Sequence, residues 1–375
     1  MIEVSKAKGS YIYDNNNNRY LDFVAGVSAC SVGHCNEEVI NAIRNQTEKY
    51  MHVMVYGEFV TKPSLDLAKL LAKNLPKSLN CTYFTNSGTE ALEGSMKLAR
   101  RHTGRKKIIA AKNAYHGSTM GALTLMGLDE RKKPFEPLIP DVEFIEFNSF
   151  QDIHKIDKKT SCVILETIQG SAGFILPAEG YLNSVKKKCK DVGALLILDE
   201  IQTGIGRTGK LFGFENFDCI PDIIVYGKGL GGGIPIGAFT SSKKIMDSLH
   251  KNPILGHIST FAANPVITAA ALQTLKIILS SKLMEKTLVK EKLIRQKLSH
   301  RLIIEIRGIG LMLCLIMNND KIANKLVLKA KEKGLILFWL LIEKRGVRIT
   351  PPLTISENEI EEGCNVILDV LNSIK

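Results

Sequence analysis

The sequence has no apolar run of membrane-spanning length and no targeting segment. Its longest clear apolar run, Leu335–Ile342, holds eight residues, whereas a helix that crosses a bilayer needs about 20. The first residues, Met1–Lys6, contain no apolar core of a signal peptide. We therefore expect no membrane partner and a cytoplasmic location.

Paired cysteines and clusters of metal ligands are also missing. The eight cysteines are scattered and contain no CxxC pair. Most of them lie in apolar surroundings, which favours reduced, buried thiols over a disulfide framework. His34 and Cys35 are adjacent, but no further ligands follow at the spacing of a metal site. The sequence therefore predicts no metal site.

The basic residues lack the interleaved aromatic residues that are typical of nucleic-acid binding. Lysine and arginine total 50 against 38 acidic residues, a formal net charge of +12, which could signal an anionic partner. However, the lysines are dispersed over predicted helices, such as 186–190 and 321–333. We expect no nucleic-acid partner.

At 375 residues, the chain is long enough for two domains.

Strands and helices alternate between residues 140 and 240. The predicted strands are 162–165, 194–198 and 222–226, which are continuously apolar apart from Asp222, and a helix is predicted over 181–192. This pattern indicates a mostly parallel sheet that is covered by helices. Glu166, Asp199 and Lys228 follow the ends of the three strands. Ligands collect at the carboxyl ends of strands in such sheets, so these residues are candidates for a site.

The two ends of the chain have a different pattern. Residues 9–22 predict a hairpin, and helices are predicted near 36–50 and 64–75. The C-terminal part predicts helices at 267–279, 283–298 and 357–374 and strands at 303–306, 311–316, 335–341 and 347–349. We interpret this part as an α+β domain that packs with the N-terminal hairpin. The predicted division is residues 1–45 and 259–375 in a small domain and 46–258 in a large one.

The stretch Pro221–Gly237 joins a short apolar strand to Lys228 and a run of glycines. Glycine clusters are costly unless the backbone needs a positive φ or a close approach. Desolvation at the mouth of a strand lowers the pKa of a lysine, and the free amine is a nucleophile toward carbonyls. The alternative is a glycine-rich turn with a solvated lysine.

A second candidate lies at Ser87-Gly88-Thr89, between a predicted strand that begins at Cys81 and a helix. Backbone N–H groups and hydroxyls at a helix N-terminus form an anion site. The alternative is that Ser87 only caps the helix. An acid at Asp199, a lysine at Lys228 and this turn together fit pyridoxal-phosphate (PLP) chemistry. That chemistry needs a covalent lysine, an acid that keeps the pyridine nitrogen protonated and a phosphate site.

Motifs over nearly the whole chain resemble those of class III aminotransferases of PLP fold type I, within them the acetylornithine aminotransferase group. The motifs are Tyr20-Leu-Asp with Gly33-His34, Asn86-Ser-Gly-Thr-Glu-Ala91, Tyr115-His-Gly117, Leu198-Asp-Glu-Ile-Gln-Thr-Gly204, Gly206-Arg-Thr-Gly209, Gly227-Lys-Gly229, Ser259-Thr-Phe261 with Asn264-Pro265, and Arg348-Ile-Thr-Pro-Pro-Leu353. The resemblance implies an α/β large domain with a mostly parallel, helix-covered sheet, a smaller α+β domain, and pyridoxal 5'-phosphate as cofactor.

The resemblance also implies a role for individual residues. Lys228 binds the cofactor covalently and then moves the proton, while Asp199 pairs with the pyridinium nitrogen and Gln202 contacts the phenolate oxygen. Glu166 is a second acid near the ring, and Tyr115 stacks on the ring. The phosphate is taken by Ser87, Gly88 and Thr89 together with Thr260 of the partner subunit, and Arg348 binds the α-carboxylate of 2-oxoglutarate or glutamate. Shared phosphate binding implies a homodimer with two shared sites. His116 is expected to be structural.

The sequence departs from the family at two substrate positions. Ser118 replaces an arginine that holds the donor's carboxylate, and Ser171 replaces a glutamate that covers the oxoacid arginine. The chain also begins later than typical relatives, so a segment with substrate contacts is expected to be absent. The predicted reaction moves the ω-amino group of N-acetylornithine to 2-oxoglutarate, in arginine or lysine biosynthesis. Alternative donors are succinyldiaminopimelate, ornithine and 4-aminobutyrate. Alternatives from another class are a PLP aminomutase and a racemase.

Overall fold

The computed structural model describes residues 1–55, 57–251 and 253–374. Strands in these ranges form three sheets. The central sheet contains β4 Cys81–Thr85, β5 Lys107–Ala111, β6 Val142–Ile145, β7 Thr160–Glu166, β8 Leu195–Asp199, β9 Ile223–Gly227 and β10 Gly237–Ser241. Its spatial order is β4-β10-β9-β8-β7-β5-β6. The strand β10 is antiparallel to both of its neighbours, and the remaining pairs are parallel. The predicted, mostly parallel sheet is confirmed.

Both faces of the central sheet are buried, because apolar side chains alternate sides along each strand. In β8, Leu195 and Ile197 pack into one hydrophobic cluster and Leu196 and Leu198 into another. The helices that cover the sheet and the rest of the chain are Glu37–Thr47, Lys62–Asn74, Gly88–Thr103, Met120–Thr124, Asp129–Lys132, Tyr181–Val192, Lys243–Met246, Pro265–Ser280, Leu283–Lys297, Asp320–Glu332 and Glu357–Asn372. The six helices predicted near 36–50 and 64–75 and at 267–279, 283–298, 321–333 and 357–374 agree with these to within three residues.

The other two sheets are built from the ends of the chain. One has the order β1-β2-β3-β13 and the other the order β11-β12-β15-β14. Their strands are β1 Val4–Lys8, β2 Tyr11–Asp14, β3 Arg19–Asp22, β11 Ile303–Ile309, β12 Met312–Met317, β13 Leu335–Ile336, β14 Phe338–Trp339 and β15 Gly346–Ile349. The predicted hairpin over 9–22 is present as β2 and β3, and β1 adds to its edge. The division of the chain at residues 45 and 258 stays a prediction.

The single strand predicted over 335–341 is wrong. Its first part, β13, pairs in parallel with β3, and its second part, β14, pairs with β15 in a different sheet. Only the buried Leu337 separates the two parts. The chain passes from one sheet to the other inside a continuous apolar run, and a run of this kind does not reveal which partner strand each residue meets.

Residues Ala25–Ser28 form a left-handed turn directly after β3. Their φ angles are 50°, 58°, 60° and 68°, and only Gly26 among them takes such values without steric cost. Each of the others costs about 1–2 kcal/mol. Asp22 anchors the turn, because its Oδ1 accepts hydrogen bonds from the backbone N–H groups of Val24 and Ala25.

No single helix of the described residues is long and apolar enough to cross a membrane. The helices Pro265–Ser280 and Leu283–Lys297 meet the length and composition of a span only as a pair, and the pair is bent by 70°. The first of them buries Ala270, Ala271 and Leu275 in the main hydrophobic core.

Candidate active site

The carboxyl ends of three neighbouring strands meet at one cavity. Glu166 ends β7, Asp199 ends β8 and Lys228 follows β9, and all three line a cavity of about 320 Å³. The predicted site residues Gly88, Thr89, Tyr115, Ser118, Ser171 and Gln202 line the same cavity. The strand order β9-β8-β7 brings together residues that are far apart in sequence.

A second, larger cavity of about 780 Å³ adjoins the first. The two cavities share Lys228, Tyr115, Ser118, Ser171 and Gln202 in their walls. Arg348 lines only the outer cavity, together with apolar side chains such as Val27 and Trp339. Lys228 therefore lies on the wall that separates an inner space from an outer space.

Lys228 is a half-buried lysine whose ammonium is not held by a neighbour. No residue of the described chain makes a hydrogen bond or an ion pair with its Nζ. Burial lowers the pKa of Lys228, against the attraction of Asp199, and the positive charge of Arg348 lowers it further. Its φ of 39° is in the left-handed region, which is rare for a residue with a side chain. The free amine is thus available at a lower pH than in an ordinary lysine.

Asp199 is buried and holds two hydrogen bonds. Its Oδ1 accepts from the backbone N–H of Ile201 at 2.9 Å, and its Oδ2 lies 2.7 Å from Nδ1 of His116. Burial alone lowers the pKa of His116, but the bond to Asp199 raises the pKa above its ordinary value. Nε2 of His116 has no partner among the described residues. The sequence predicted a structural His116, and its contact with Asp199 was missed, although it directly follows Tyr115 in the same motif.

Glu166 is a buried acid beside these groups. Its Oε1 accepts a hydrogen bond from the backbone N–H of Tyr115 at 3.1 Å, and its Oε2 accepts from that of Gly170 at 2.9 Å. Burial raises the pKa of Glu166 to about 7, partly offset by the charge of His116. The group therefore changes its protonation close to neutral pH.

The N-terminus of the helix Gly88–Thr103 forms one end of the inner cavity. Ser87 caps this helix, because its Oγ accepts from the backbone N–H of Glu90 at 3.3 Å. The predicted contact of Ser87 with a phosphate stays a prediction. The first N–H groups of a helix have no intrahelical acceptor. A Cβ on Gly88 would lie 2.8 Å from Cδ1 of Ile201. A Cβ on Gly117 would lie 2.3 Å from Oγ1 of Thr89. No side chain fits at either glycine, and the backbone donors at the helix N-terminus beside the cavity suit an anionic group such as a phosphate.

Arg348 is a buried cation that has no counter-ion among the described residues. It is 6% exposed, and its Nε and Nη1 have no hydrogen-bond partner among the described residues. Burial lowers the pKa of Arg348 to about 10. Its strand neighbours across the sheet are Cys314 and Phe338, neither of which is an acid. An unpaired buried charge is costly, so the position is suited to an anionic ligand.

The two serines at the departing positions have different surroundings. Ser118 is exposed, and its Oγ lies 3.4 Å from the phenol oxygen of Tyr115. Ser171 is half-buried, and its carbonyl oxygen accepts from the backbone N–H groups of Ile342 and Glu343 at 3.1 and 3.2 Å. The loop with Ser171 is therefore tied to the turn that precedes β15, the strand of Arg348.

Thr260 does not join these residues within one chain. It is exposed and lines neither cavity. Large apolar residues around it in two segments are 44–79% exposed, namely Met51, Met54, Phe59, Val60, Ile254, Leu255, Ile258 and Phe261. The two segments contact each other, since the rings of His52 and Phe261 lie 4.9 Å apart. We refer to these eight residues as the apolar face.

A family model described as aminotransferase class-III matches residues 1–371. The acetylornithine aminotransferase of Methanopyrus kandleri is 37% identical over 375 residues, which cover 99% of this chain and 95% of the relative. That of Caldanaerobacter subterraneus is 38% identical and covers 100% and 95%.

The solved structures agree with the family match. The crystal structure of the ornithine aminotransferase from Toxoplasma gondii, described with PLP at partial occupancy in its active site, has a TM-score of 0.92 and 30% identity. The alignment covers 100% of this chain and 90% of that one. The predicted fold class and cofactor are thereby confirmed. On these matches, the chain belongs to the class-III aminotransferases, a PLP-dependent family, and is an aminotransferase.

Proposed function

We propose that this aminotransferase moves the ω-amino group of N-acetylornithine to 2-oxoglutarate and gives a semialdehyde and glutamate. The observation that carries the proposal is the unpaired Arg348 in the outer cavity, which shares a wall with the inner cavity at Lys228. An α-carboxylate that pairs with this arginine leaves the rest of the substrate in the same cavity. The relatives named acetylornithine aminotransferase support the choice of donor.

The cofactor occupies the inner cavity in this proposal. Bound pyridoxal phosphate supplies an electrophilic carbon and a ring that accepts electrons. Gly88 and Thr89 hold its phosphate at the helix N-terminus, and Tyr115 covers one face of its ring. Asp199 keeps its ring nitrogen protonated, and Gln202 donates to its phenolate oxygen.

Lys228 then has two tasks. Its amine would hold the cofactor covalently in the resting enzyme. Once free, Nζ would take a proton from the amine-bearing carbon of the substrate and deliver it to the cofactor carbon that carries the nitrogen. The lowered pKa of Lys228 supports both tasks, because a free amine is required for each. Glu166, with a pKa raised to about 7, exchanges protons near neutral pH beside the ring.

A donor screen tests the proposal. The purified holoenzyme is incubated with 2-oxoglutarate and, in turn, N-acetylornithine, ornithine, succinyldiaminopimelate and 4-aminobutyrate, and glutamate formation is followed. We expect N-acetylornithine to give the highest kcat/KM. A faster reaction with another of these donors would reassign the substrate. Product formed from one amino acid without any 2-oxoglutarate would instead indicate an aminomutase or a racemase.

We also propose that the protein is a homodimer with shared active sites. In this arrangement Thr260 of the partner subunit contacts the cofactor phosphate. The apolar face supports the proposal, because large exposed apolar patches mark protein interfaces. A contact of Thr260 with the partner subunit would also explain why this residue is exposed and lies outside both cavities of its own chain.

Mixed dimers give a direct measure of this sharing. Thr260→Ala should weaken cofactor binding, and Lys228→Ala should abolish activity. In a heterodimer of the two variants, the intact Lys228 of one chain meets the intact Thr260 of the other in one site. We expect this site to bind cofactor with wild-type affinity and to give about half of the wild-type activity. If Thr260 acts within its own chain, the heterodimer will show only the weak binding of Thr260→Ala.

Installing an acid at Ser171 should close the carboxylate site. Ser171 borders both cavities and no carboxylate pairs with Arg348 in the described chain, so the arginine is permanently available. Ser171→Glu places a carboxylate within the same cavity wall. A charge-assisted hydrogen bond is worth about 1.5–3 kcal/mol, which corresponds to roughly a 10- to 150-fold slower reaction of glutamate with the holoenzyme. The reaction with the ω-amine of N-acetylornithine should slow less.

Stopped-flow absorbance with each donor alone measures both reactions. Ser171→Gln is the matched control, because it has the same size without the charge and should affect both donors alike. Since hydroxyl groups and shape replace charge in donor selection, discrimination of N-acetylornithine from ornithine should be only about 10- to 200-fold in the unmodified enzyme. Equal slowing of both reactions by Ser171→Glu would contradict this interpretation of Ser171.

A further inference from the structure

Ser28 contacts Gln202, one of the residues that border both cavities. The side-chain Nε2 of Gln202 donates a hydrogen bond to Oγ of Ser28 at 3.3 Å. We infer that Ser28 is a positioning residue that holds the Gln202 amide in place toward the cofactor. The inference rests on the role of Gln202 given under the proposed function and goes beyond it, because Ser28 belongs to none of the motifs of the sequence.

The bond to Ser28 fixes the place of the Gln202 amide beside the cavity. An amide has one acceptor oxygen and an NH₂ group with two donors. With Nε2 toward Ser28, Oε1 of Gln202 lies on the side of Gly170. A Cβ added to Gly170 would lie 3.0 Å from Oε1 of Gln202 and 3.1 Å from Oε2 of Glu166. The second N–H of Gln202 then remains for an acceptor in the cavity.

This orientation is the one that a phenolate oxygen requires. An anionic oxygen is stabilised by a donor, and charge-assisted bonds of this kind are among the stronger ones. The flipped amide would present the lone pairs of Oε1 to the anion, which is repulsive. The hydroxyl of Ser28 can donate as well as accept, so it holds the amide beside the cavity, and the anionic oxygen selects the orientation that presents an N–H group.

Ser28 reaches Gln202 because it is held in a strained conformation. Ser28 is buried and has a φ of 68°, at the end of the left-handed turn Ala25–Ser28. Its backbone N–H donates to the carbonyl of Val24 at 3.0 Å, and Asp22 anchors the start of the turn. Strain of this type persists where the surroundings enforce it and concentrates at functional sites. The contact with Gln202 gives this strained turn a function.

The same loop offers a matched control. Ser31 is also buried and lines neither cavity. Its Oγ accepts a hydrogen bond from Nη2 of Arg207 at 3.4 Å and donates one to the backbone carbonyl of Ser28 at 3.4 Å, so it supports the backbone of the turn and not the hydroxyl of Ser28. Ser31→Ala therefore removes a buried hydroxyl from the same loop without touching Gln202. It separates a general effect on the loop from an effect on the amide.

The experiment compares Ser28→Ala, Ser28→Gly and Ser31→Ala in the wild-type holoenzyme and in a Gln202→Ala background. The readouts are the absorbance maximum of the resting enzyme, kcat, KM and the thermal midpoint. We expect Ser28→Ala to shift the maximum in the same direction as Gln202→Ala and to lower kcat about three- to tenfold, the range of one hydrogen bond. In the Gln202→Ala background, Ser28→Ala should add nothing. Ser31→Ala should leave the maximum unchanged.

Ser28→Gly separates orientation from stability. It removes the same hydroxyl, but glycine adopts a positive φ without strain, so its thermal midpoint should exceed that of Ser28→Ala while the spectral shift is the same. If the absorbance maximum were unchanged in Ser28→Ala but shifted in Gln202→Ala, the role of Ser28 alone would be overturned. The same conclusion would follow if the losses of kcat in the two single variants added up in the double variant. An unchanged maximum in Gln202→Ala would overturn the proposed role of Gln202 as well.

Discussion

Replacing Lys228 by alanine should abolish the covalent link to pyridoxal phosphate and lower turnover by about 10⁴-fold or more. A positioned acid–base group contributes about 10²–10⁴-fold, and the loss of covalent attachment adds to this. The space left by the side chain opens onto both cavities, so the cofactor should still bind without the link. Borohydride reduction followed by mass spectrometry of the whole protein measures the link directly.

The pH dependence of cofactor incorporation provides a second measurement of Lys228. Burial lowers the pKa of this lysine, so the free amine forms at a lower pH than for an exposed lysine. Addition of pyridoxal phosphate to the apoprotein should therefore accelerate as the pH rises, with a midpoint below the ordinary lysine range.

Lys112→Ala is the control for the loss of a lysine near the site. Lys112 is exposed and pairs with Glu146 at 2.6 Å, so its loss should leave the covalent link and turnover unchanged. A Lys228→Ala protein that still forms a reducible covalent adduct at one position would assign the link to another lysine.

Much of the site could be predicted because apolar strands end at polar residues. The runs that end at Glu166, Asp199 and Lys228 are buried on both faces, so each strand reads as a continuous apolar stretch. The carboxyl ends of parallel strands meet at one edge, which places the three residues together. The order of the strands was not needed for this prediction, since the carboxyl ends of all parallel strands in a sheet lie along the same edge.

The contacts that were missed join segments that are distant in sequence. His116 and Asp199 are 83 positions apart, and Ser28 and Gln202 are 174 positions apart. No local pattern encodes such a pair. The left-handed turn is equally hidden, because Gly26 is its only residue that signals a positive φ. Distant packing enforces this conformation on Ala25, Val27 and Ser28.

Asp199→Asn should leave the cofactor bound and lower turnover by at least about 100-fold, since loss of electrostatic support at such a position costs about 3 kcal/mol. The asparagine has nearly the same shape and can still accept the bond from the backbone N–H of Ile201, which is 2.9 Å long in the wild type. What it lacks is the negative charge that keeps the ring nitrogen protonated, so the carbanion at the substrate carbon is poorly stabilised.

His116 makes the effect of Asp199→Asn observable without turnover. The bond and the charge of Asp199 raise the pKa of His116, whereas burial lowers it. Once the carboxylate becomes an amide, only the smaller effect of the Glu166 charge still opposes burial, and the pKa of His116 should fall below its ordinary value. The imidazole should then be neutral at neutral pH, and its titration, followed by NMR of ring-labelled histidine, should move to lower pH.

Asp222→Asn is the matched control for Asp199→Asn, because Asp222 lies at the opposite end of β9. Its Oδ2 accepts from the backbone N–H of Leu196 at 2.8 Å, and its Oδ1 pairs with Lys186. Its replacement should lower thermal stability and leave turnover near that of the wild type. If Asp199→Asn retained activity within a few-fold of the wild type while the His116 titration moved, another acid would hold the ring nitrogen. The first candidate would then be Glu166, which is the second buried carboxyl group of the inner cavity and has a pKa raised to about 7. Replacing it would test the candidate, because the ring nitrogen needs a carboxylate beside it to stay protonated.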